Sequence, residues 1–222
     1  MLRALHSIFW RSSGYVLLVA SLFGWAIVEA RMGQTHTPTY KFLLWNLFLA
    51  WIPYGCAALA LVVRERWIRV LLAFVWLFFF PNAPYLLTDF VHFRYNIDFP
   101  WWFDVGMLAT FACIGLMLAL TSLRLLHRQV EWAKGTTVGW LFVLGVCVLS
   151  AFGVYLGRFV RLNSWDLASN LDGVLHDLKA VFTTTALYPR VFGMTVLFTG
   201  IQLLCYVPFV QAERPPDRVP LP

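Results

Sequence analysis

Charge is what this chain has least of. Its 222 residues include 17 Lys and Arg and 11 Asp and Glu, a charged share of 13% against an apolar share of 60%. Soluble domains average roughly a quarter charged, and the mean hydropathy of +0.71 points the same way. The missing charge is absent in blocks. Ser12–Val28, Phe42–Val63, Val70–Thr88, Val105–Leu123, Gly135–Gly157 and Val191–Ala212 carry none. Each block has about the length a helix needs to cross roughly 30 Å of hydrocarbon. Six such spans consume most of the chain and leave no room for a separate soluble domain.

Other absences exclude more. The four cysteines, Cys56, Cys113, Cys147 and Cys205, form no Cys-x-x-Cys pair, and each falls inside an apolar block. That excludes a disulfide framework, and they read as small buried hydrophobes. There is no internal repeat and no His-Glu-x-x-His motif. No residue pattern names a cofactor, and nothing fixes an oligomeric state. The net charge of +6 needs no nucleic acid, because arginines beside anionic lipid account for it.

The basic residues set the expected orientation. With both termini inside, ten of the seventeen fall on the cytoplasmic side, among them Arg3, Arg11, Arg64, Arg66, Arg69, Arg124, Arg128 and Lys134. The loops at 64–69 and 124–134 are short, which is where the positive-inside bias counts. Seven bases fall outside, with seven of the eleven acids. Arg3 and Arg11 before an apolar run resemble the start of a signal peptide. The run is long for one, and Glu29 beside Ala30 is a poor cleavage site, so the first span is read as retained.

The expected fold is an all-α membrane protein, a bundle of about six transmembrane helices forming a single polytopic domain over 1–212. Residues 213–222, with four prolines, read as a disordered cytoplasmic tail. The third span contains Phe80-Pro81-Asn82-Ala83-Pro84-Tyr85 and is expected to break at Pro81–Pro84. Irregular backbone at membrane depth is tolerated only where protein buries it or a polar cavity adjoins it. Around 166–182, Leu167, Leu171, Val174, Leu175, Leu178 and Phe182 recur at helical spacing and predict an outer amphipathic helix. Its polar face carries Asp172, His176 and Lys179.

Two constellations carry candidate chemistry. Asp89 and His92 follow the break, and Asp172 and His176 lie on the outer helix. Carboxylate and imidazole from two segments are ligands a divalent metal takes, so Asp89, His92 and His176 form a candidate metal set. Asp89 equally suits hydrogen bonds to amides freed at the break. The second constellation follows the fifth span. Arg158 and Arg161, three apart on a continuing helix, would clamp a phosphate or carboxylate, neutralise Asp89 or Asp104, or anchor at the headgroups beside Trp165. Glu29 and Asn46 are polar groups at or within spans and count as candidates by position.

Together the two blocks resemble a bacterial membrane-protein family catalogued as domain of unknown function 1361. The first is the Phe80–Tyr85 motif with Thr88-Asp89, His92 and Trp102-Phe103-Asp104. The second is Tyr155-Leu156-Gly157-Arg158-Phe159 through Arg161 and Asn163-Ser164-Trp165-Asp166. The resemblance spans roughly the second to the sixth helix. It implies an integral membrane protein of bacteria with no established activity, and it marks Asn82, Tyr85, Asp89, His92, Asp104, Arg158, Arg161, Asn163, Trp165 and Asp166 as signature positions without roles. Asp89, His92, Asp104, Arg158, Arg161 and Asp166 are expected to share one polar pocket at the outer face. Its leading use is to bind or transport a lipid-like or small anionic ligand, with membrane lipids as the other partner. The rivals are a metal-dependent membrane hydrolase or transferase and a structural subunit. The expected location is the bacterial cytoplasmic membrane.

Overall fold

The computed structural model of the chain describes residues 2–35, 39–93, 100–161, 171–184 and 187–213. Among them every regular element is helical: α1 (Leu2–Arg11), α2 (Gly14–Thr35), α3 (Lys41–Val62), α4 (Arg66–Phe79), the single turn α5 (Asn82–Tyr85), a 3₁₀ segment (Leu86–His92), α6 (Trp101–Lys134), α7 (Thr136–Tyr155), a π turn (Leu156–Val160), α8 (Leu171–Thr183) and α9 (Tyr188–Ala212). Six stretches are long and apolar enough to cross a membrane: Gly14–Gln34, Lys41–Val62, Arg66–His92, Trp101–Lys134, Thr136–Val160 and Tyr188–Ala212. Large apolar side chains such as Phe48, Phe74, Leu141, Phe192 and Leu204 point out of the bundle. Such a surface fits lipid and would aggregate in water. The protein is a multi-pass membrane bundle.

Helix α6 is the axis of the bundle. It packs against α2, α3, α5, the 3₁₀ segment, α7 and α9, and it buries Met107, Leu108, Phe111, Leu118 and Leu123. In the third span the aromatic run divides by helical spacing: Trp76 and Phe80 are buried, whereas Phe74 and Phe78 face out. Cys56 and Cys147 are buried as expected, but Cys113 is exposed on α6. It lies in the middle of a span, where the exposed surface faces lipid and a thiol needs no burial to stay out of water.

The third span breaks at the expected place, and the break is a change of hydrogen-bond register. Phe80, Pro81, Tyr85 and Leu86 all keep right-handed helical dihedrals. The Ala83 amide donates to the Phe80 carbonyl three residues back (3.2 Å), and the Asn82 Nδ2 donates to the Phe79 carbonyl in its place (3.0 Å). Proline removes an amide from the ladder, and an asparagine inside the break supplies the substitute. Protein then buries the irregular turn. A Cβ on Gly115 of α6 would stand 2.5 Å from the Ala83 carbonyl, and one on Gly153 of α7 would stand 2.6 Å from Pro81 Cγ. Both helices approach the break at glycine because only glycine leaves room.

Two polar layers cap the apolar core, one at each end. At one end Arg31 meets Asp104, and Arg158 meets Asp89. At the other, His127 Nδ1 lies 2.8 Å from the Tyr206 hydroxyl, and Arg124 Nε donates to Glu213 at 2.8 Å. Glu213 also takes Arg128 at 3.3 Å. Asp104 and His127 are both on α6. The 23-residue step from Asp104 to His127 spans about 35 Å at 1.5 Å per residue. That is slightly more than the hydrocarbon thickness, so the layers fall at opposite headgroup levels.

One feature was not anticipated by the sequence reading. The N-terminal residues form a separate helix, α1, joined to α2 through a Ser12–Ser13 turn in which Ser13 has φ 57°. Of the outer amphipathic helix around 166–182, the described part is α8, which exposes Asp172, His176 and Lys179 and buries Val174 and Val181. The tail beyond Glu213 lies outside the described residues.

The glycine contacts make a direct prediction. Gly115→Ala sets a methyl against backbone that cannot rotate away and is expected to cost about 1–3 kcal/mol, as overpacking does. Gly106→Ala on the same helix meets open space and should leave the melting temperature unchanged or raised. Equal melting of the two variants in detergent would show that α6 does not hold the broken segment.

Candidate functional site

The site begins with the geometry of the 3₁₀ segment. Side chains three residues apart eclipse in a 3₁₀ helix, so Leu86, Asp89 and His92 stand in one row. Leu86 and Asp89 are buried, Asp89 at 1% exposure, while His92 at the open end of the row is exposed. In an α-helix the same row would drift sideways by about 60° per step. The break therefore sets up the row as well as the depth of each member.

Arg158 comes to this row from α7. The π turn carries an extra residue, closing with the Arg161 amide on the Leu156 carbonyl five residues back. Turns of this kind recur at functional sites, and Arg158 is at its centre. Its Nη2 donates to Asp89 Oδ1 at 2.6 Å, and its Nε donates to Thr88 Oγ1 at 2.9 Å. Nη2 also reaches Thr88 Oγ1. Nη1 lies 2.8 Å from His92 Nε2, and the guanidinium carbon sits 4.4 Å from the Tyr85 ring centroid. Arginine has no acceptor, so the His92 contact requires an unprotonated Nε2. Thr88 donates its own proton to the Tyr85 carbonyl at 2.7 Å, which leaves its lone pairs for the guanidinium.

Asp89 has a second partner. Asn46 of α3 donates to Oδ2 at 3.1 Å, so both carboxylate oxygens are engaged and three elements converge on one buried acid. Asn46 was singled out by its position in a span. Its bond to Asp89 gives the physical reason for a polar side chain there.

Asp104 belongs to a different pair. Arg31 at the end of α2 forks onto it, Nε to Oδ1 at 2.5 Å and Nη2 to Oδ2 at 3.1 Å, and the Tyr40 hydroxyl adds a bond to Oδ2 at 3.1 Å. The two pairs share one end of the bundle. Rings link them: Tyr40 lies 6.3 Å from Phe42, and Phe42 lies 4.7 Å from His92. Sequence reasoning counted Arg31 only as an orientation signal. Its distance of 73 positions from Asp104 left no local pattern to find.

The remaining candidates are distributed around these two pairs. Asn82 and Tyr85 are in the broken segment as described. Arg161 ends the π turn in left-handed conformation, φ 64°, and is exposed. The helical face that it was to share with Arg158 stops before it. Asn163, Trp165 and Asp166 lie outside the described residues. For the metal set, the guanidinium stands against both Asp89 Oδ1 and His92 Nε2, so an ion shared through those two atoms would have to displace it. Among the described residues no three His, Cys, Asp or Glu side chains are grouped to hold a metal ion.

Removing one side of a buried pair strands the other charge, which costs about 3–5 kcal/mol. Arg158→Met is expected to lower stability by that amount, read as a fall in melting temperature. Adding Asp89→Leu should recover much of it, because apolar residues can replace a whole pair. Asn46→Ala should cost less, about 1.5–3 kcal/mol for a bond to a charged group. A wild-type melt for Arg158→Met would remove the pair as a structural element.

Comparison with known proteins follows the same blocks. The model of a family described as a protein of unknown function, DUF1361, matches residues 45–205. The match takes in Asn46, the broken span, Asp89, Asp104 and Arg158, and leaves Arg31 and α1 outside. Neither a curated protein nor a solved structure matches the chain. With well over half of its residues covered, the chain belongs to the DUF1361 family of proteins of unknown function.

Proposed function

We propose that the protein is a membrane-embedded binding protein that receives the anionic group of a lipid-like or other small ligand at Arg158. One observation carries this reading: the outermost partner of the guanidinium is an exposed imidazole, not a second acid. A phosphate or carboxylate arriving from the open side can replace His92 at Nη1. The Asp89 contact at Nη2 then stays whole, so the buried acid remains compensated throughout. The incoming anion gains a charge-assisted bond, which is about twice as strong as a neutral one. Tyr85 beneath the guanidinium holds it in place by a cation–π contact, and exposed Arg161 adds positive charge at the rim.

The distribution of charge supports an outward-facing site in a bacterial cytoplasmic membrane. By the topology read from the sequence, the side of Arg158 is assigned seven bases and seven acids, and the side of both termini ten bases and four acids. The positive-inside trend then puts the termini in the cytoplasm. A hydrolase or transferase working through a metal on Asp89 and His92 would first have to move Arg158, which leaves the anion reading ahead. A purely structural clasp has one observation in its favour, the near-complete engagement of Arg158 and Asp89 by protein groups.

Native mass spectrometry in mild detergent separates these readings. Phosphatidylglycerol added to the full-length protein should bind more tightly than phosphatidylcholine. Arg158→Gln should abolish that preference at one site, and His92→Ala, which frees Nη1 without touching the ion pair, should strengthen it. Unchanged lipid binding in both variants, with a lowered melting temperature in Arg158→Gln, would leave the clasp.

A further inference from the structure

Helix α1 has two faces that do different work. On one side Phe9 meets the Tyr54 ring edge-on at 5.1 Å, and Ser12 Oγ lies 2.6 Å from the Tyr54 hydroxyl. Gly14 sits so close to Tyr54 and Phe9 that a side chain there has no room. The helix is thus fixed against α2 and α3. At 100° per residue, the opposite side carries Arg3, His6, Ser7, Trp10 and Arg11, and all five are exposed. His6, Ser7, Trp10 and Arg11 line a shallow groove of about 390 Å³, and His6 is held from below by Tyr15, Nδ1 to hydroxyl 2.6 Å.

Trp10 is the telling residue. It is 74% exposed, on the charged side of an amphipathic helix, where neither water nor hydrocarbon suits it. An indole in that position belongs among lipid headgroups. Two more tryptophans at the same end behave alike: Trp67 at the start of α4 is 83% exposed and Trp132 at the end of α6 is 87% exposed. They stand beside Arg64, Arg66, Arg69, Arg128 and Lys134 in the chain. Among the described residues this end holds eight bases and three acids, an excess of five positive charges.

We infer that α1 is an interfacial helix whose outward face docks the headgroup of an anionic phospholipid. The phosphate lies in the groove against Arg11 and Ser7, with Arg3 one turn beyond Ser7 and the Trp10 indole at the glycerol level. Apolar residues hold the helix to the bundle, so the polar face stays fixed at headgroup height. This site is at the opposite end of the bundle from Arg158 and does not depend on the reading given to Arg158.

The test uses the full-length protein in nanodiscs and in mild detergent, with phosphatidylglycerol and phosphatidylcholine as probes. In Arg3→Gln/Arg11→Gln, one phosphatidylglycerol site seen by native mass spectrometry should weaken on the order of thirtyfold, since each surface arginine contributes about a fivefold gain near anionic lipid. Phosphatidylcholine binding should not change. Trp10→Ala should weaken both lipids at that site by a smaller factor. Arg158→Gln should leave this site intact, which separates the two lipid positions. Phosphatidylglycerol affinity equal to wild type in the double variant would overturn the proposal.

Discussion

A carboxylate buried at the end of an apolar bundle has to be met by a cation, and the placement of Asp89 opposite Arg158 organises this end of the molecule. An isolated ion there would cost several kcal/mol. The pair therefore ties the end of α7 to the end of the third span, and Asn46 draws α3 into the same contact. Three helices that pack through ordinary apolar surface lower down are held in one register at this point. Apolar packing against lipid-like neighbours discriminates weakly between registers. A buried charge pair discriminates strongly, because a shift of one residue strands both ions.

The break exists in service of that pair. Prolines at 81 and 84 interrupt the ladder, but the chain stays helical and merely tightens into a 3₁₀ segment. The tightening converts a 3.6-residue period into a 3-residue period, which stacks Asp89 beneath His92. The π turn on α7 does the reverse, loosening the period by one residue at the place where Arg158 must reach across. One helix winds tighter and its neighbour winds looser, and the two distortions meet at a single guanidinium. Gly115 and Gly153 let α6 and α7 close over the irregular turn, as membrane depth requires.

Much of this was legible from residue order, and the limits have physical causes. The six spans follow from charge-free length, a local property. The break follows from two prolines, also local. Asp89 and Arg158 were each visible as polar groups in apolar surroundings, and their pairing was one of two that charge balance allowed. Arg31 was missed as the partner of Asp104 because an arginine near a span end also serves as an orientation signal, and sequence alone does not say which work it does. Asn46 was noticed but not paired, since its partner lies 43 residues away. A spacing of three already put Asp89 and His92 on one helical face, but their eclipsed row with Leu86 requires the tighter winding of a 3₁₀ segment, which residue order does not reveal. Helix α1 was overlooked for a related reason: its apolar face is only half of ten residues, too short to register beside a span of about twenty.

The two polar layers also constrain one another. Asp104 and His127 are fixed on one continuous helix, so the distance between the layers cannot change without bending α6. That distance of about 35 Å slightly exceeds the hydrocarbon core, and both layers then sit where water and headgroups begin. At one end the two buried acids, Asp104 and Asp89, are each paired with an arginine within the protein. At the other, Arg124 and Arg128 share Glu213, and the excess of basic charge faces outward with exposed tryptophans. A bundle built this way resists sliding along the membrane normal. Sliding toward the Arg158 end would drag arginines of the basic end into hydrocarbon, and sliding the other way would bury the Asp89 and Asp104 pairs more deeply in the bilayer. The same balance that orients the protein holds Arg158 at a fixed height, with its His92 side open to the headgroup layer.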